Sequence, residues 1–263
     1  MIIRTALIIF VFGIFSEQAL SSSEHSSEHC LSAAQQLTAV TNWADIKRIV
    51  DGDTLHLKDG RKIRLIGINT PELGHRGEAS EPYGQQAYQV LRDFIGNTGK
   101  VGLSFDRERR DRYHRILAYV VLANGQSLEQ YLLKQGLAVS IAISPNTLHL
   151  SCYRALEQQA REAQKGIWQL PEMRWYKAEK LSAKAQGYRF ISGKILAYNE
   201  TNKNIYLKLS SRLAIKIAKK DRHYFTHLKS LVGKKVKVRG WLNRYKGKQS
   251  LRIRTAQNLL ILK

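Results

Sequence analysis

The sequence predicts an α+β, mainly β protein that has a five-stranded barrel with packed helices, followed by a second small β-barrel. Two observations favour this class. Short runs with alternating apolar residues are separated by turn signals such as Asp59-Gly60 and Asn124-Gly125, which is typical of antiparallel strands. In addition, three predicted strands, a helix and two further strands follow one another twice along the chain, which is an order found in small barrels.

The first barrel is predicted within residues 42–171. Its strands are predicted over residues 43–50, 54–58, 62–68, 101–105, 116–122 and 137–143. Apolar residues at helical spacing predict helices over residues 84–95, 128–135 and 150–165. Ser127 is a suitable N-cap for the second of these helices, and Gly136 is suitable for ending it. These elements together predict an OB-type barrel with helices packed on its outside.

The second barrel is predicted over residues 188–263, after a basic, polar stretch at 172–187 that is interpreted as a linker. Its strands are predicted at 188–198, 204–209, 213–217, 235–242 and 250–262, with a helix at 220–231. The order is again that of an OB-like fold. Apolar and basic positions alternate near the end of the chain, which predicts exposed positions for five cations: Lys235, Lys237, Arg239, Arg252 and Arg254.

Aromatic residues of the second barrel are candidates for stacking on nucleic-acid bases: Tyr206, Trp241 and Tyr245. Packing in a hydrophobic core is an equally good interpretation of Trp241.

The charge is strongly asymmetric along the chain. The net charge is +22, and residues 1–173 hold 19 Lys and Arg against 18 Asp and Glu. Residues 174–263 hold 24 Lys and Arg against 3 Asp and Glu. This concentration of positive charge predicts a polyanionic partner for the second barrel. A solvated basic surface and attraction to acidic lipids are the alternatives.

The N-terminal residues have the pattern of an export signal. Arg4 precedes an apolar run at residues 6–15, and small residues follow, so residues 1–21 are predicted as a cleaved signal peptide. The protein is then expected in the periplasm or outside the cell, with an uncleaved membrane anchor as the alternative. Residues 22–41 are predicted as a flexible arm. In an oxidising compartment Cys30 and Cys152 either form a disulfide or remain free thiols.

Four motifs occur in a characteristic order. They are VDGDT at residues 50–54, IRLIGINTPE at 63–72, DRYHRILAY at 111–119 and QGLA at 135–138. Over residues 46–168 the chain thereby resembles the staphylococcal nuclease family, whose members use calcium and cut DNA and RNA to leave 3′-phosphates. The resemblance implies that Arg64, which alone would be interpreted as a strand arginine extending to solvent, is a catalytic residue.

The resemblance also implies the other roles in the site. Calcium would be bound by three residues: Asp53, Asn69 and Thr70. Glu72 would be the general base, Arg64 and Arg115 would stabilise the transition state, and Tyr113 would bind substrate.

The chemistry of these residue types agrees with such roles. Hydrolysis of an anionic phosphodiester needs cations where negative charge grows and a base for the attacking water. Carboxylate, amide and carbonyl oxygens suit calcium, whereas the sequence has no Cys/His cluster for zinc. Asp51 can orient the metal ligands without itself contacting the metal. Arginine guanidinium groups can hold a phosphate with forked donors, which lysine cannot do.

The chain departs from the family pattern in two respects. Asn69 stands where the family has an aspartate, and the lost negative charge predicts weaker calcium binding. Ile141 and Ile143 stand near the positions of stacking tyrosines, so base contacts from that segment are not expected.

Three functional hypotheses remain open at this point. The first is an exported, calcium-dependent endonuclease with an appended nucleic-acid-binding barrel. The second is a non-catalytic nucleic-acid-binding protein with a weakened metal site. The third is docking of the basic barrel on an acidic lipid surface.

Overall fold

The computed structural model describes residues 30–74, 77–96 and 99–262. The predicted signal peptide and the first part of the predicted arm, residues 22–29, lie outside the described residues. Among the residues described, no helix combines the length and the apolar character needed to cross a membrane.

The described residues of the N-terminal half form seven strands. They are β1 Asn42–Asp51, β2 Thr54–Leu57, β3 Lys62–Leu65, β4 Ile68–Asn69, β5 Lys100–Ser104, β6 Ile116–Val121 and β7 Val139–Ser140. Five of them form a closed barrel in the order β1-β2-β3-β6-β5, in which β3 and β6 are parallel. Leu55, Ile63 and Leu103 are fully buried inside it. The predicted five-stranded barrel with packed helices is confirmed.

Four α-helices accompany this barrel: α1 Ala33–Thr38, α2 Gly84–Ile95, α3 Leu128–Lys134 and α4 Leu150–Glu162. The observed bounds of α2 are those predicted from its apolar spacing. The Ser127 hydroxyl accepts a hydrogen bond from the Gln130 amide, as expected of an N-cap. Helix α4 ends three residues before the predicted position, and the chain turns back so that Ile167 and Trp168 are buried.

Two predicted strands are shorter than expected. The run at residues 62–68 is divided into β3 and β4 because Gly67 has a φ of 82° and lies directly against the Tyr153 ring. The run at 137–143 forms strand only at β7, since its partner β4 has just two residues available for pairing.

The predicted flexible arm is partly structured. Residues 33–38 form α1, which begins with a capping box between Ser32 and Gln35. A disulfide joins Cys30 to Cys152 in α4, which resolves the alternatives left open by the sequence. The arm packs closely on the first barrel, because any side chain at Gly125 would collide with Ala33. The interpretation of residues 30–41 as a free arm is therefore wrong.

The C-terminal half is rich in β-structure, as predicted. Its strands are β8 Trp175–Lys177, β9 Gly187–Lys194, β10 Ala197–Glu200, β11 Asn204–Lys208, β12 Leu213–Ala218, β13 Lys235–Tyr245, β14 Lys248–Ile253 and β15 Leu259–Leu262. The strands pair in the order β10-β11-β12-β14-β13-β9-β8, and β15 pairs with β13. Because β9 and β10 are consecutive segments, this order repeats the order of the first barrel.

Two predictions about the secondary structure of this half are wrong. The helix predicted at 220–231 is two 3₁₀ segments, Lys219–Tyr224 and Leu228–Leu231. Extended backbone at Phe225 and a positive φ at His227 interrupt it, and Phe225 enters the core instead. The stretch 172–187 is not a simple linker, since β8 pairs with β9 while Ala178 and Leu181 are buried in the second core.

An apolar cluster joins the two halves of the chain. Ile141 and Trp168 from the first half pack in it with Tyr188 and Phe190 of β9. Ile143, at the other position where the family has a stacking aromatic, is partly buried against the same cluster. These isoleucines therefore contact the second barrel, which explains why apolar residues are suitable there.

A buried ion pair lies beside this cluster. The Arg239 guanidinium of β13 donates to both carboxylate oxygens of Glu157 in α4, at 2.5 and 2.6 Å, and to the Ser140 carbonyl at 2.8 Å. It also donates to the Tyr188 hydroxyl. Burial opposes its charge, yet Glu157 raises the pKa of Arg239 above its usual value. The prediction that Arg239 is exposed is wrong, because β13 meets the first barrel here.

Candidate active site

Two aspartates lie where β1 turns into β2. Asp51 ends β1, and its carboxylate accepts a 2.9 Å hydrogen bond from the Asp53 amide. The Asp53 carboxylate accepts a hydrogen bond from Thr54 and is only 3% exposed as a residue. A side chain at Gly52 would lie 2.8 Å from Thr70, so this turn closely approaches the segment after β4. The fold thereby brings Asp53 to residues 69–72.

Arg64 lies between these two segments. From β3, its guanidinium forms a 2.9 Å ion pair with Asp53 Oδ2 and donates a 3.1 Å hydrogen bond to Asn69 Oδ1. It also donates to the carbonyl oxygens of Leu65 and Ile68. Only 13% of its side chain is exposed. Arg64 is therefore held inside the polar cluster and does not extend to solvent.

The oxygens proposed for a metal are gathered at the same place. The Thr70 amide donates to Asp53 Oδ2 at 3.1 Å, and the Asn69 carboxamide nitrogen donates to the Thr70 carbonyl at 3.0 Å. Burial raises the pKa of the Asp53 carboxyl, Arg64 opposes this rise, and Asp51 adds to it. A nearby cation would stabilise the ionised form of a buried carboxylate of this kind. The donors, all oxygens, fit a hard ion such as calcium.

Within the described parts of the chain, no group of three or more His, Cys, Asp or Glu side chains is placed to hold a metal. The oxygen set of Asp53, Asn69 and Thr70 includes an amide and a main-chain carbonyl, so it is a different kind of site.

Glu72 follows this cluster directly and faces solvent on one side. Its backbone is fixed by a pair of hydrogen bonds with Glu81: the Glu72 amide donates to the Glu81 carboxylate, and the Glu81 amide donates to the Glu72 carbonyl. Partial desolvation, together with the charges of Asp51 and Asp53, raises the pKa of Glu72 to about 6. A carboxylate with this pKa, open to water, is suited to accept a proton near neutral pH.

Arg115 and Tyr113 lie on the loop before β6. Asp111 organises this loop, since its carboxylate accepts from the Tyr113 and Arg115 amides and from Arg115 Nε at 2.8 Å. Although partial burial opposes it, these hydrogen bonds lower the pKa of Asp111. Tyr113 is 61% exposed, and the guanidinium groups of Arg112 and Arg115 lie over its ring. Sequence reasoning missed Asp111, although its spacing of four residues from Arg115 was a usable signal.

The pairing of β3 with β6 relates the two arginines. Arg64 is opposite Leu117 in this parallel pair, and Arg115 is two residues before Leu117. Because side chains two apart in an extended segment share a face, Arg64 and Arg115 belong to the same outer face of the barrel.

The second barrel forms one wall of the cleft at this site. A cleft of about 680 Å³ is lined by Asn69, Thr70 and Glu72 on one side. Tyr188, Arg189 and Trp241 line it on the other. The sequence analysis predicted an appended second barrel and did not predict that this barrel forms a wall of the cleft. No local pattern in the sequence indicated this wall, since Arg239 and Glu157, whose ion pair joins the two halves, are 82 residues apart.

Comparisons with known proteins identify the family of the chain. The family model described as "Staphylococcal nuclease homologue" matches residues 62–170. The chain is 34% identical over 171 residues to "Thermonuclease" of Staphylococcus hyicus, which covers 63% of this chain and 97% of that protein. It is 38% identical over 128 residues to "Endonuclease YncB" of Bacillus subtilis, which covers 47% of this chain and 60% of that protein.

A further relative is "Thermonuclease" of Staphylococcus intermedius, which is 35% identical over 127 residues, or 47% of this chain and 74% of that protein. The chain thus spans nearly all of one of these three relatives and 60% of the length of YncB. The family match ends at residue 170, so the strands of the second barrel, which begin at Trp175, all lie beyond it.

Proposed function

The chain belongs to the staphylococcal nuclease family, and we propose that it is a calcium-dependent endonuclease that hydrolyses phosphodiester bonds of DNA, RNA or both. One observation carries this proposal. Arg64 is held between Asp53 and Asn69, next to a carboxylate, Glu72, whose pKa is raised to about 6. A cation, oxygen ligands for a metal and a general base therefore lie together, which are the groups that attack on a phosphodiester requires.

In the proposed reaction the protein's own residues have distinct roles. Asp53, the Asn69 side chain and the Thr70 carbonyl would hold calcium, which would supply positive charge beside the phosphate. Glu72 accepts the proton of the attacking water. Arg64 and Arg115 stabilise the charge that grows on the phosphorus oxygens, because forked donors match these oxygens.

Two finer points of the proposal come from the family pattern. Tyr113 is exposed near Arg115, where it is available to the substrate. Cleavage on the 5′-oxygen side would leave a 3′-phosphate. A labelled oligonucleotide whose product is extended by a polymerase only after phosphatase treatment would support this product, whereas direct extension would contradict it.

Export is part of the proposal. The signal-like pattern at residues 1–21 and the Cys30–Cys152 disulfide both support an oxidising compartment outside the cytoplasm. Fractionation of cells that express the full chain would test this, and recovery of reduced protein from the cytoplasm would contradict it.

The activity itself is tested with purified variants. Glu72→Gln should reduce calcium-dependent cleavage of single-stranded DNA by about 10²–10⁴-fold, and Arg115→Ala by about 10²–10³-fold. Glu78→Gln and Arg107→Ala are matched controls, since both residues are exposed and outside the site. Cleavage that survives EDTA, or undiminished activity of Glu72→Gln, would refute the mechanism. Binding without cleavage in any metal would favour the non-catalytic alternative.

A further inference from the structure

The second barrel carries a basic groove on its outer face, separate from the candidate active site. The groove has a volume of about 660 Å³. Five cations line it: Lys208, Arg212, Lys216, Lys246 and Lys248. Two tyrosines, Tyr206 and Tyr245, line it as well, and Tyr245 is 74% exposed. Among the described residues that line this groove, none is Asp or Glu.

The strand register connects this groove to the catalytic cleft. Tyr206 is opposite Lys216 across β11 and β12, and Lys216 is opposite Arg252 across β12 and β14. Arg252 is in turn opposite Trp241 across β14 and β13, and Trp241 is opposite Tyr188 across β13 and β9. Directly paired residues share one face of a sheet, so these five side chains form a single row.

The two ends of this row belong to different clefts. Tyr206 and Lys216 line the basic groove, whereas Trp241 and Tyr188 line the cleft beside Glu72. Neighbouring strands are about 4.8 Å apart, so Tyr206 and Trp241 are separated by about 14 Å. The apolar residues that alternate with this row, such as Leu207 and Leu251, are buried in the barrel. The first four residues of the row therefore lie on the outer surface of the sheet, whereas Tyr188 at its end is 7% exposed and packs against the first half of the chain.

We propose that this row, Tyr206–Lys216–Arg252–Trp241, is a binding track along which single-stranded nucleic acid runs from the basic groove into the catalytic cleft. Aromatic rings at both ends can stack on bases, and the two cations between them can contact phosphates. The charge of residues 174–263, 24 basic against 3 acidic side chains, is complementary to a polyanion. The inference rests on the proposed nuclease function, for which it supplies the part that grips the substrate.

The alternative anionic partner is a lipid surface. A narrow row with two cations in the middle and a stacking ring at each end suits a chain of bases and phosphates. Binding to a flat membrane would require the cations but not a groove. Single-stranded nucleic acid is therefore the ligand we propose, and binding to lipid vesicles is measured as the alternative.

Binding is measured first, in the Glu72→Gln background with EDTA, so that cleavage does not enter the result. Lys216→Ala/Arg252→Ala should weaken binding of a 24-nucleotide single strand about tenfold and lower the salt slope by about 1.4, since each lost phosphate contact contributes about 0.7 for single strands. Tyr206→Ala should weaken binding about tenfold with an unchanged salt slope. Lys235→Ala is the matched control, because this exposed lysine lies at the opposite end of β13.

Cleavage then tests the connection between the two sites. The full-length protein should cut a 24-nucleotide strand with a higher kcat/KM than a 4-nucleotide strand, and Lys216→Ala/Arg252→Ala should reduce that ratio several-fold. Unchanged binding and an unchanged ratio in the double variant would overturn the proposal. If the double variant lost binding to phosphatidylglycerol vesicles but still bound the oligonucleotide as the parent does, the proposal would be overturned in favour of lipid. If no variant cleaves DNA but the binding differences persist, the track stands and the nuclease function fails.

Discussion

Replacing Arg239 with methionine should destabilise the protein strongly. The guanidinium makes two short hydrogen bonds to Glu157, and only 7% of Arg239 and 3% of Glu157 is exposed. Methionine has a similar length but no charge, so the Glu157 carboxylate would stay buried with one remaining donor, the Ser140 amide at 3.0 Å.

The expected magnitude follows from this loss. Removal of one partner from a buried ion pair costs about 3–5 kcal/mol, because the other charge is left without compensation. The double variant Arg239→Met/Glu157→Gln removes that charge, while the oxygen of the introduced carboxamide still accepts from the Ser140 amide. We therefore expect the double variant to lie within about 1–2 kcal/mol of the wild type, so it should be at least about 1 kcal/mol more stable than Arg239→Met alone.

Urea unfolding, followed by tryptophan fluorescence, measures these free energies. Arg107→Met is the matched control, because Arg107 is exposed on a loop of the first barrel and should change stability by less than about 0.5 kcal/mol. A cost below about 1 kcal/mol for Arg239→Met, or a double variant equal to the sum of its parts, would refute the reasoning.

Three further predictions concern the first barrel. Removing the disulfide with Cys30→Ala/Cys152→Ala should lower the free energy of unfolding by up to about 4–5 kcal/mol, since the bridge closes a loop of 122 residues; identical urea midpoints would contradict this. Burial raises the pKa of Glu129 to about 8, so its contribution to stability is present at acid pH and is lost as pH rises from about 4.5 to 8. Glu129→Gln should therefore gain stability relative to the wild type over this range, by at most about 1.4 kcal/mol per pH unit, and parallel pH curves would argue against it. Asn69→Asp adds a charge and frees the Thr70 carbonyl from its hydrogen bond, so calcium should bind about tenfold more tightly by calorimetry; unchanged affinity would show that this position does not limit the metal.

Much of the fold was predictable because local patterns decide it. The apolar spacing that predicted α2 and the Ser127 cap of α3 are properties of adjacent residues, as is the alternation that predicted the barrel strands. The helix expected at 220–231 failed for the complementary reason. Burial of Phe225 in the barrel core stabilises the fold more than a continuous helix at these residues would. Tertiary packing therefore overrides helical propensity.

The candidate site divides in the same way. The sequence by itself was enough to propose the groups that act on the phosphate, since the motifs at residues 50–54, 63–72 and 111–119 contain Asp53, Glu72 and Arg115. Only the tertiary structure decided that Arg64 contacts Asp53, and that the second barrel forms a wall of the cleft. It also decided that Arg239 is a buried partner of Glu157 and not a surface cation. The physical reason is that a single strand specifies only which face a side chain occupies, whereas the element packed on that face determines whether the residue meets water, a substrate or an opposite charge.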